Sequence, residues 1–380
     1  MSMTQKPLNK LAIIRKMNNP HSLYIHIPFC NKICDYCDFV KLQYFRKFAI
    51  SYLEALKKEL ESYRIKGLNT IYVGGGTPTA LEDDLFEELL KIIKPYSDGV
   101  KEYTFEANPE SLSESKIRLL KEHGVNRISL GVQSTDSKVL KAINREHDYD
   151  DVKRAINCLQ QYGIDNINVD LILGLPHSSK SLLLKDLENL TSLGIKHISC
   201  YGLTIHPHTV LYNQGFKELE DDKMRELYDL VHNYLKDKGF VHYEVSNWAK
   251  EGFESLHNMT YWRNEQYYGC GLGAAGYIGE VRYKNTTNLD KYLKGEYILE
   301  KEELTIKDKY NYEIMLVLRC IHAGLNFNKI KEEYGVDLTQ KMDSIEKFIN
   351  EGYLSLSNGV VYPTYEGMMI LDAIILELIK

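Results

Sequence analysis

The sequence predicts an α/β fold: a parallel sheet, curled or doubly wound, built from six β/α repeats and followed by a mostly helical C-terminal module. Three observations lead there. Between residues 22 and 204, six short β-rich runs alternate with helix-length amphipathic stretches. Polar and glycine punctuation gathers at the C-terminal ends of those runs, the end at which α/β barrels assemble their sites. From about residue 304, helical patterns lead into a short hairpin, the order of a winged helix.

The six runs are LYIHI (23–27), TIYVGGG (70–76), EYTFEAN (102–108), RISLGVQ (127–133), INVDLILG (167–174) and HISCYGLT (197–204). Helical periodicity fills the gaps at Tyr52–Tyr63, Leu81–Ile93, Glu114–His123, Asp151–Tyr162 and Ser181–Leu193. Beyond residue 210 a helix (Asp221–Lys238) leads to VHYEVSN (241–247), HNMTYW (257–262) and the glycine-rich GCGLGAAG (269–276). The tail reads helix, short helix, helix (Leu338–Glu351), hairpin (YLSLSNGVVY, 353–362) and a last helix. The organisation is therefore an N-terminal tail (1–20), a β/α core (21–210), a flanking segment with HNMTYW (211–303) and a winged-helix-like module (304–380).

Composition limits the function classes. A chain of 380 residues, 44% hydrophobic and 26% charged with net charge −6, has no electrostatic footprint for nucleic acid. No apolar run approaches the length that spans a bilayer. The first 22 residues carry Lys6, Lys10, Arg15 and Lys16 and no acid, with an apolar patch too short for a secretory signal. They read as a disordered tail, with Met17 as a candidate start. Seven cysteines, three of them within eight residues, do not suit a disulfide framework and do suit a reducing, cytoplasmic compartment.

The chemistry concentrates in FCNKICDYCDF (29–39), where Cys30, Cys34 and Cys37 form a C-x3-C-x2-C loop. Three thiolates can hold zinc or iron. His26 offers a fourth zinc ligand, but it lies inside a strand run, and a chain this large needs no structural metal to fold. Three cysteines on a four-iron cubane would leave one iron open to a chelating ligand. Two further stretches stand out. Asp170 sits mid-strand in an apolar run, where an unpartnered carboxylate is costly, so a partner or ligand is expected. HNMTYW joins a histidine, a methionine and two large aromatics, a set suited either to a flat apolar ligand with a metal centre or to a core turn.

YIHIPFCNKICDYCDF resembles the cluster loop of the radical S-adenosylmethionine (SAM) family, and more narrowly its oxygen-independent coproporphyrinogen III oxidase-like branch. The resemblance runs from residue 22 to about 375 and implies a partial (β/α)6 TIM-like barrel of the radical SAM type with a C-terminal, mostly helical winged-helix-like domain. It implies a [4Fe–4S] cluster on Cys30, Cys34 and Cys37, whose open iron is chelated by SAM, and radical cleavage of SAM by the reduced cluster. Tyr24, Gly75 and Glu106 match SAM contacts of that branch. Gly76, Thr77, Gln133, Arg145 and Asp170 match positions that contact SAM or a second SAM, and Tyr36 of the cysteine loop is counted with them. The Gln133-x11-Arg145 spacing and the NREH segment (144–147) make the match specific.

Within the branch, oxidases carry a fourth cysteine two residues after the third, where this chain has Phe39. HNMTYW matches the H-N-x-x-Y-W motif of the haem-chaperone side, with His257 as the candidate haem ligand. One departure is Ala275, where relatives usually carry histidine. The resemblance thus implies a haem chaperone that holds a cluster and SAM, binds haem or a porphyrin as cargo and passes it to a haem-accepting protein, in the cytoplasm or peripherally at a membrane. The alternative is the oxidase itself, a radical decarboxylase of coproporphyrinogen III.

Overall fold

A computed structural model describes residues 19–321 and 323–379; all but the last two residues of the expected tail lie outside the described residues. Six strands pair in parallel and in chain order: β1 (Ser22–Ile27), β2 (Thr70–Gly75), β3 (Glu102–Ala107), β4 (Arg127–Gln133), β5 (Asn166–Leu173) and β6 (His197–Gly202). The VHYEVSN stretch spans two strands, β7 (Val241–Glu244) and β8 (Asn247–Ala249). They form an antiparallel hairpin that joins the sheet through β8 alongside β6. A ninth strand, β9 (Tyr268–Gly271) from the glycine-rich run, adds in parallel outside β1. The sheet order is therefore β9-β1-β2-β3-β4-β5-β6-β8-β7.

Helices Arg46–Ser62, Asp83–Ile93, Glu114–Glu122, Tyr149–Gln161 and Lys180–Thr191 occupy the five expected connections. The first begins six residues before the expected Tyr52, because its opening turn leaves Phe48 and Ile50 exposed and so breaks the apolar period. Each strand is apolar on the face under these helices, as with Leu23, Ile25 and Ile27 on β1, or Ile128, Leu130 and Val132 on β4. The opposite faces are almost wholly polar. β1 offers Ser22, Tyr24 and His26; β2 Thr70 and Tyr72; β3 Glu102, Thr104 and Glu106; β4 Arg127, Ser129 and Gln133; β5 Asn168 and Asp170; β6 His197 and Ser199. In a flat sheet β2 and β6 would lie roughly 19 Å apart. Tyr72 of β2 and Tyr201 of β6 nevertheless line one cavity, so the sheet curls into a partial barrel with that polar face inside.

The N-terminal end of this lumen is closed by helix Leu256–Trp262, which contains HNMTYW. Ser255 caps the helix, and the buried Glu102 carboxylate accepts hydrogen bonds from Leu256 N (2.8 Å), His257 N (2.9 Å) and Ser255 Oγ (3.2 Å). A carboxylate at a helix N-terminus satisfies donors the helix cannot pair and complements its dipole. Thr260 Oγ1 and Ser22 Oγ stand 2.9 Å apart, and Ser22 Oγ accepts from Thr70 Oγ1 at 2.9 Å. The helix is thus tied to three strands.

The flanking segment adds a meander, β10 (Ala275–Ile278), β11 (Val281–Asn285) and β12 (Ile298–Glu303). The C-terminal module runs helix Ile306–Val317, β13 (Leu325–Asn326), helices Phe327–Tyr334 and Met342–Asn350, then the hairpin β14 (Leu354–Ser357) and β15 (Val360–Pro363). Its sheet order is β13-β15-β14, the winged-helix arrangement. It packs around its own core of Ile314, Ile330, Ile345, Val361 and Ile374. No helix among the described residues is long and apolar enough to cross a membrane.

Glu102→Ala leaves three donors at the barrel floor unpaired, at a cost of about 1–3 kcal/mol. The expected outcome is faster amide hydrogen exchange across residues 256–262 with the central strands unchanged, read by mass spectrometry.

Candidate functional site

The C-terminal ends of β1 to β6 enclose a cavity of about 480 Å³. Cys30, Cys34 and Cys37 stand on its wall, on the loop that leaves β1. Burial pushes the Cys30 thiol up to about 11 and raises Cys37 as well. Thr77 Oγ1 donates to Cys30 Sγ at 3.7 Å and pulls the other way. Such thiols ligate as thiolates, so a metal centre here must displace their protons. Among the described residues no three His, Cys, Asp or Glu side chains converge on a single ion, and this includes His26 with the cysteines. His26 is instead a brace: it is buried, its Nδ1 stands 2.9 Å from Tyr24 Oη and its Nε2 2.7 Å from Val40 O, on the chain that returns from the cysteine loop. Burial holds its imidazole down to about 4, hence neutral, as one donor and one acceptor require.

The glycine run after β2 is fixed by its neighbours. Gly75 has φ +112°, and a Cβ there would stand 2.5 Å from the His26 ring. A Cβ on Gly74 would meet the Glu106 carboxylate at 2.5 Å. Only glycine lets β2 lie this close to both.

The NREH segment clasps the cysteine loop. Asn144 Nδ2 donates to Ile33 O at 3.0 Å, Arg145 Nη1 reaches Cys34 Sγ at 3.6 Å, and Glu146 pairs with Lys32 at 3.1 Å. Arg145 Nη2 also donates to Asn108 Oδ1 at 3.0 Å and to Gly131 O. A Cβ on Gly131 would crowd Asn108, Gln133 and Arg145, which explains the glycine in the fourth run. Gln133 itself, past a bulge in the β4–β5 pairing, has φ +67°. That left-handed backbone is uncommon for a non-glycine residue and clusters at functional sites.

Two carboxylates face the cavity from the strands. Glu106 accepts from Tyr72 Oη (2.8 Å) and Gly75 N (2.9 Å), yet no cation lies within ion-pair distance among the described residues. Burial pushes its carboxyl up to about 7, and the neighbouring Asp170 charge adds to this. Asp170 has the partners its strand position demanded, Asn168 Nδ2 at 2.8 Å and Ser129 Oγ at 3.1 Å, and burial raises it too.

Of the residues singled out from the sequence, Cys30, Cys34, Cys37, Tyr36, Gly75, Gly76, Thr77, Glu106, Gln133, Arg145 and Asp170 all line this one cavity. Tyr24 does not; it lies one layer below, holding His26. His257 is not brought to the cavity either. It lies fully buried on the barrel floor, with Nδ1 2.8 Å from Thr70 Oγ1 and Nε2 2.8 Å from Tyr261 Oη. Burial holds its imidazole down to about 3, and neither ring nitrogen is open to a ligand. Ala275 is exposed at the start of β10, away from the cavity wall, so the departure there leaves the lining intact. Sequence reasoning missed Tyr72, Ser129 and Tyr201, which share the inward face: Tyr72 lies two residues before Gly74, Ser129 pairs with Glu106 across the sheet, and Tyr201 lies two residues after the Ser199 that pairs with Asp170. Asn108, which ends the third run, lines the cavity too; Lys41 and His206 were missed, since no periodicity signals them.

The donor set fits a cluster with an open iron and an amino-acid ligand beside it: three thiols on one wall, a buried carboxylate with no ion pair among the described residues, and a guanidinium in the same lining.

A family model described as the radical SAM superfamily matches residues 24–190, and one described as the HemN C-terminal domain matches residues 304–370. Proteins named heme chaperone HemW are similar over most of their length. That of Lactococcus lactis subsp. lactis is 37% identical over 361 residues, covering 92% of this chain and 95% of the relative. That of Bacillus subtilis is 38% identical over 367 residues, covering 92% and 96%. The solved coproporphyrinogen III oxidase (HemN) of Escherichia coli superposes with a TM-score of 0.83 at 22% identity, covering 96% of this chain and 91% of that one, a likeness of fold.

The N–H groups of an iron-chelating SAM amine donate more strongly to ionised Glu106 than to its acid form. Because the carboxyl is raised to about 7, it is protonated below that pH and ionised above it. SAM affinity of the reconstituted protein is therefore expected to rise between about pH 6 and pH 8. Glu106→Gln should flatten that rise and weaken binding by roughly tenfold or more, since a charged hydrogen bond is lost. Anaerobic calorimetry across the pH range reads both effects.

Proposed function

Since the chain belongs to the family of the heme chaperone HemW, within the radical SAM superfamily, we propose that it binds haem and delivers it to a haem-accepting protein. In this reading Cys30, Cys34 and Cys37 hold a [4Fe–4S] cluster. Gly75, Gly76, Thr77, Glu106, Gln133, Arg145, Asp170 and Tyr36 hold SAM. When bound, the reduced cluster and SAM together supply one-electron radical chemistry. The chain's own contribution is positional. Arg145 and Asn144 fix the cysteine loop, His26 supports it from below, and Glu106 offers an acceptor for the amine of SAM.

Phe39 carries the choice of chaperone over oxidase. It occupies the place of the fourth cysteine in oxidase-branch loops, and its ring is 66% exposed at the cavity mouth. An exposed aromatic beside a cofactor cavity suits docking of a flat apolar ring rather than ligation. Residues 21–210 form the cofactor-holding barrel, 211–303 flank and plug it, and 304–380 is a separate module for partner contact. Three cysteines crowd one loop and the others are scattered through the core, a usage that suits the cytoplasm, with any membrane attachment supplied by the acceptor.

One reconstituted sample tests this. It should bind haem with a defined stoichiometry and leave coproporphyrinogen III unchanged in the presence of SAM and reductant. Formation of protoporphyrinogen IX would make the protein an oxidase instead.

A further inference from the structure

If the protein carries haem, one side chain at the cavity mouth should meet the iron, and His257 is closed to that role by its two hydrogen bonds. Among the described residues, His206 is the histidine that lines the cavity. Its side chain is 46% exposed, on the loop that follows β6. Asp38, next to Cys37, has Oδ2 3.3 Å from His206 Nε2. Nδ1 has no hydrogen-bond partner among the described residues. A carboxylate behind one ring nitrogen with the other free is the usual support for a metal-bound imidazole, since it fixes the tautomer and raises ligand basicity.

The surroundings suit haem. The backbone of this loop is pinned to the cysteine loop, with Leu211 N donating to Asp35 O at 3.1 Å. Phe39 lines the same mouth as His206 and is left 66% exposed, a large apolar ring at the cavity edge. Propionates are anionic, and Lys41 lines the same mouth with no carboxylate paired to it among the described residues.

We propose that His206, oriented by Asp38, is the axial ligand that holds haem at the mouth of the cluster cavity, with Phe39 as its apolar contact. This rests on the haem-chaperone reading. It places the cargo over the cofactor cavity and makes HNMTYW the floor of the barrel.

The test is a titration of ferric haem into the full-length, reconstituted protein, followed by the Soret band. Wild type should shift the band. His206→Ala should lose the shifted band and bind at least about tenfold more weakly, and Asp38→Asn should weaken binding by about tenfold while keeping the band position. His257→Ala should bind like wild type. Because that variant disturbs a buried floor, His206→Ala, an exposed change whose folding is checked by its cluster absorption, decides the matter. A His206→Ala protein with wild-type spectrum and affinity overturns the assignment and leaves the chaperone reading standing. A wild type that leaves the haem spectrum unchanged overturns the chaperone reading, and His206 with it.

Discussion

The structure depends on an inverted alternation. Six parallel strands put their apolar side chains outward, under the helices, and their polar side chains into the barrel. In most α/β barrels branched apolar residues fill that interior. Here polar groups line it instead, and buried polar groups are costly without partners. The lumen is made stable in two ways. At its lower end several groups pair with one another, while Thr104 Oγ1 and Arg127 Nε have no partner among the described residues: Asn168 Oδ1 sits 2.6 Å from His197 Nδ1, and His197 Nε2 sits 2.8 Å from Tyr243 Oη. The helix carrying HNMTYW completes that floor, with Glu102, Thr70 and Ser22 as its anchors. At the upper end Glu106 forms no ion pair among the described residues and the thiols line the cavity, so that end is built for a ligand.

The same constraint explains the fixed geometry around the cysteines. A three-cysteine loop has few internal contacts of its own. It is held from below by His26 at Val40 and from the side by Asn144 at Ile33 and Arg145 at Cys34. Arg127, buried within the lumen, draws down the carboxyls of Glu106 and Asp170 against the larger effect of burial. The result is a cavity whose charges and backbone are set before any cofactor enters, which lowers the cost of ordering on binding.

Much of this was legible in the sequence because the signals are local. The strand runs are short, apolar and bounded by turns, and the five helices follow their period to within a few residues except at the exposed start of Arg46–Ser62. Asp170 announced its partners by being a carboxylate in an apolar run. The Gln133 backbone could not be read, since nothing in VQS signals a left-handed residue. His257 could not be placed from the sequence, because composition tells what a motif could bind, while only the tertiary fold tells which end of the barrel its helix closes. His206 escaped notice for the converse reason: it lies in a loop, and its carboxylate partner is far away in sequence.

The central claim is that the cysteine site is one ligand short because SAM completes it. Electron paramagnetic resonance of the reduced, reconstituted protein, recorded with and without SAM, tests this most directly. The account predicts a cluster signal whose g-values and line shape change when SAM is added. A cluster spectrum identical in the presence and absence of saturating SAM would contradict it.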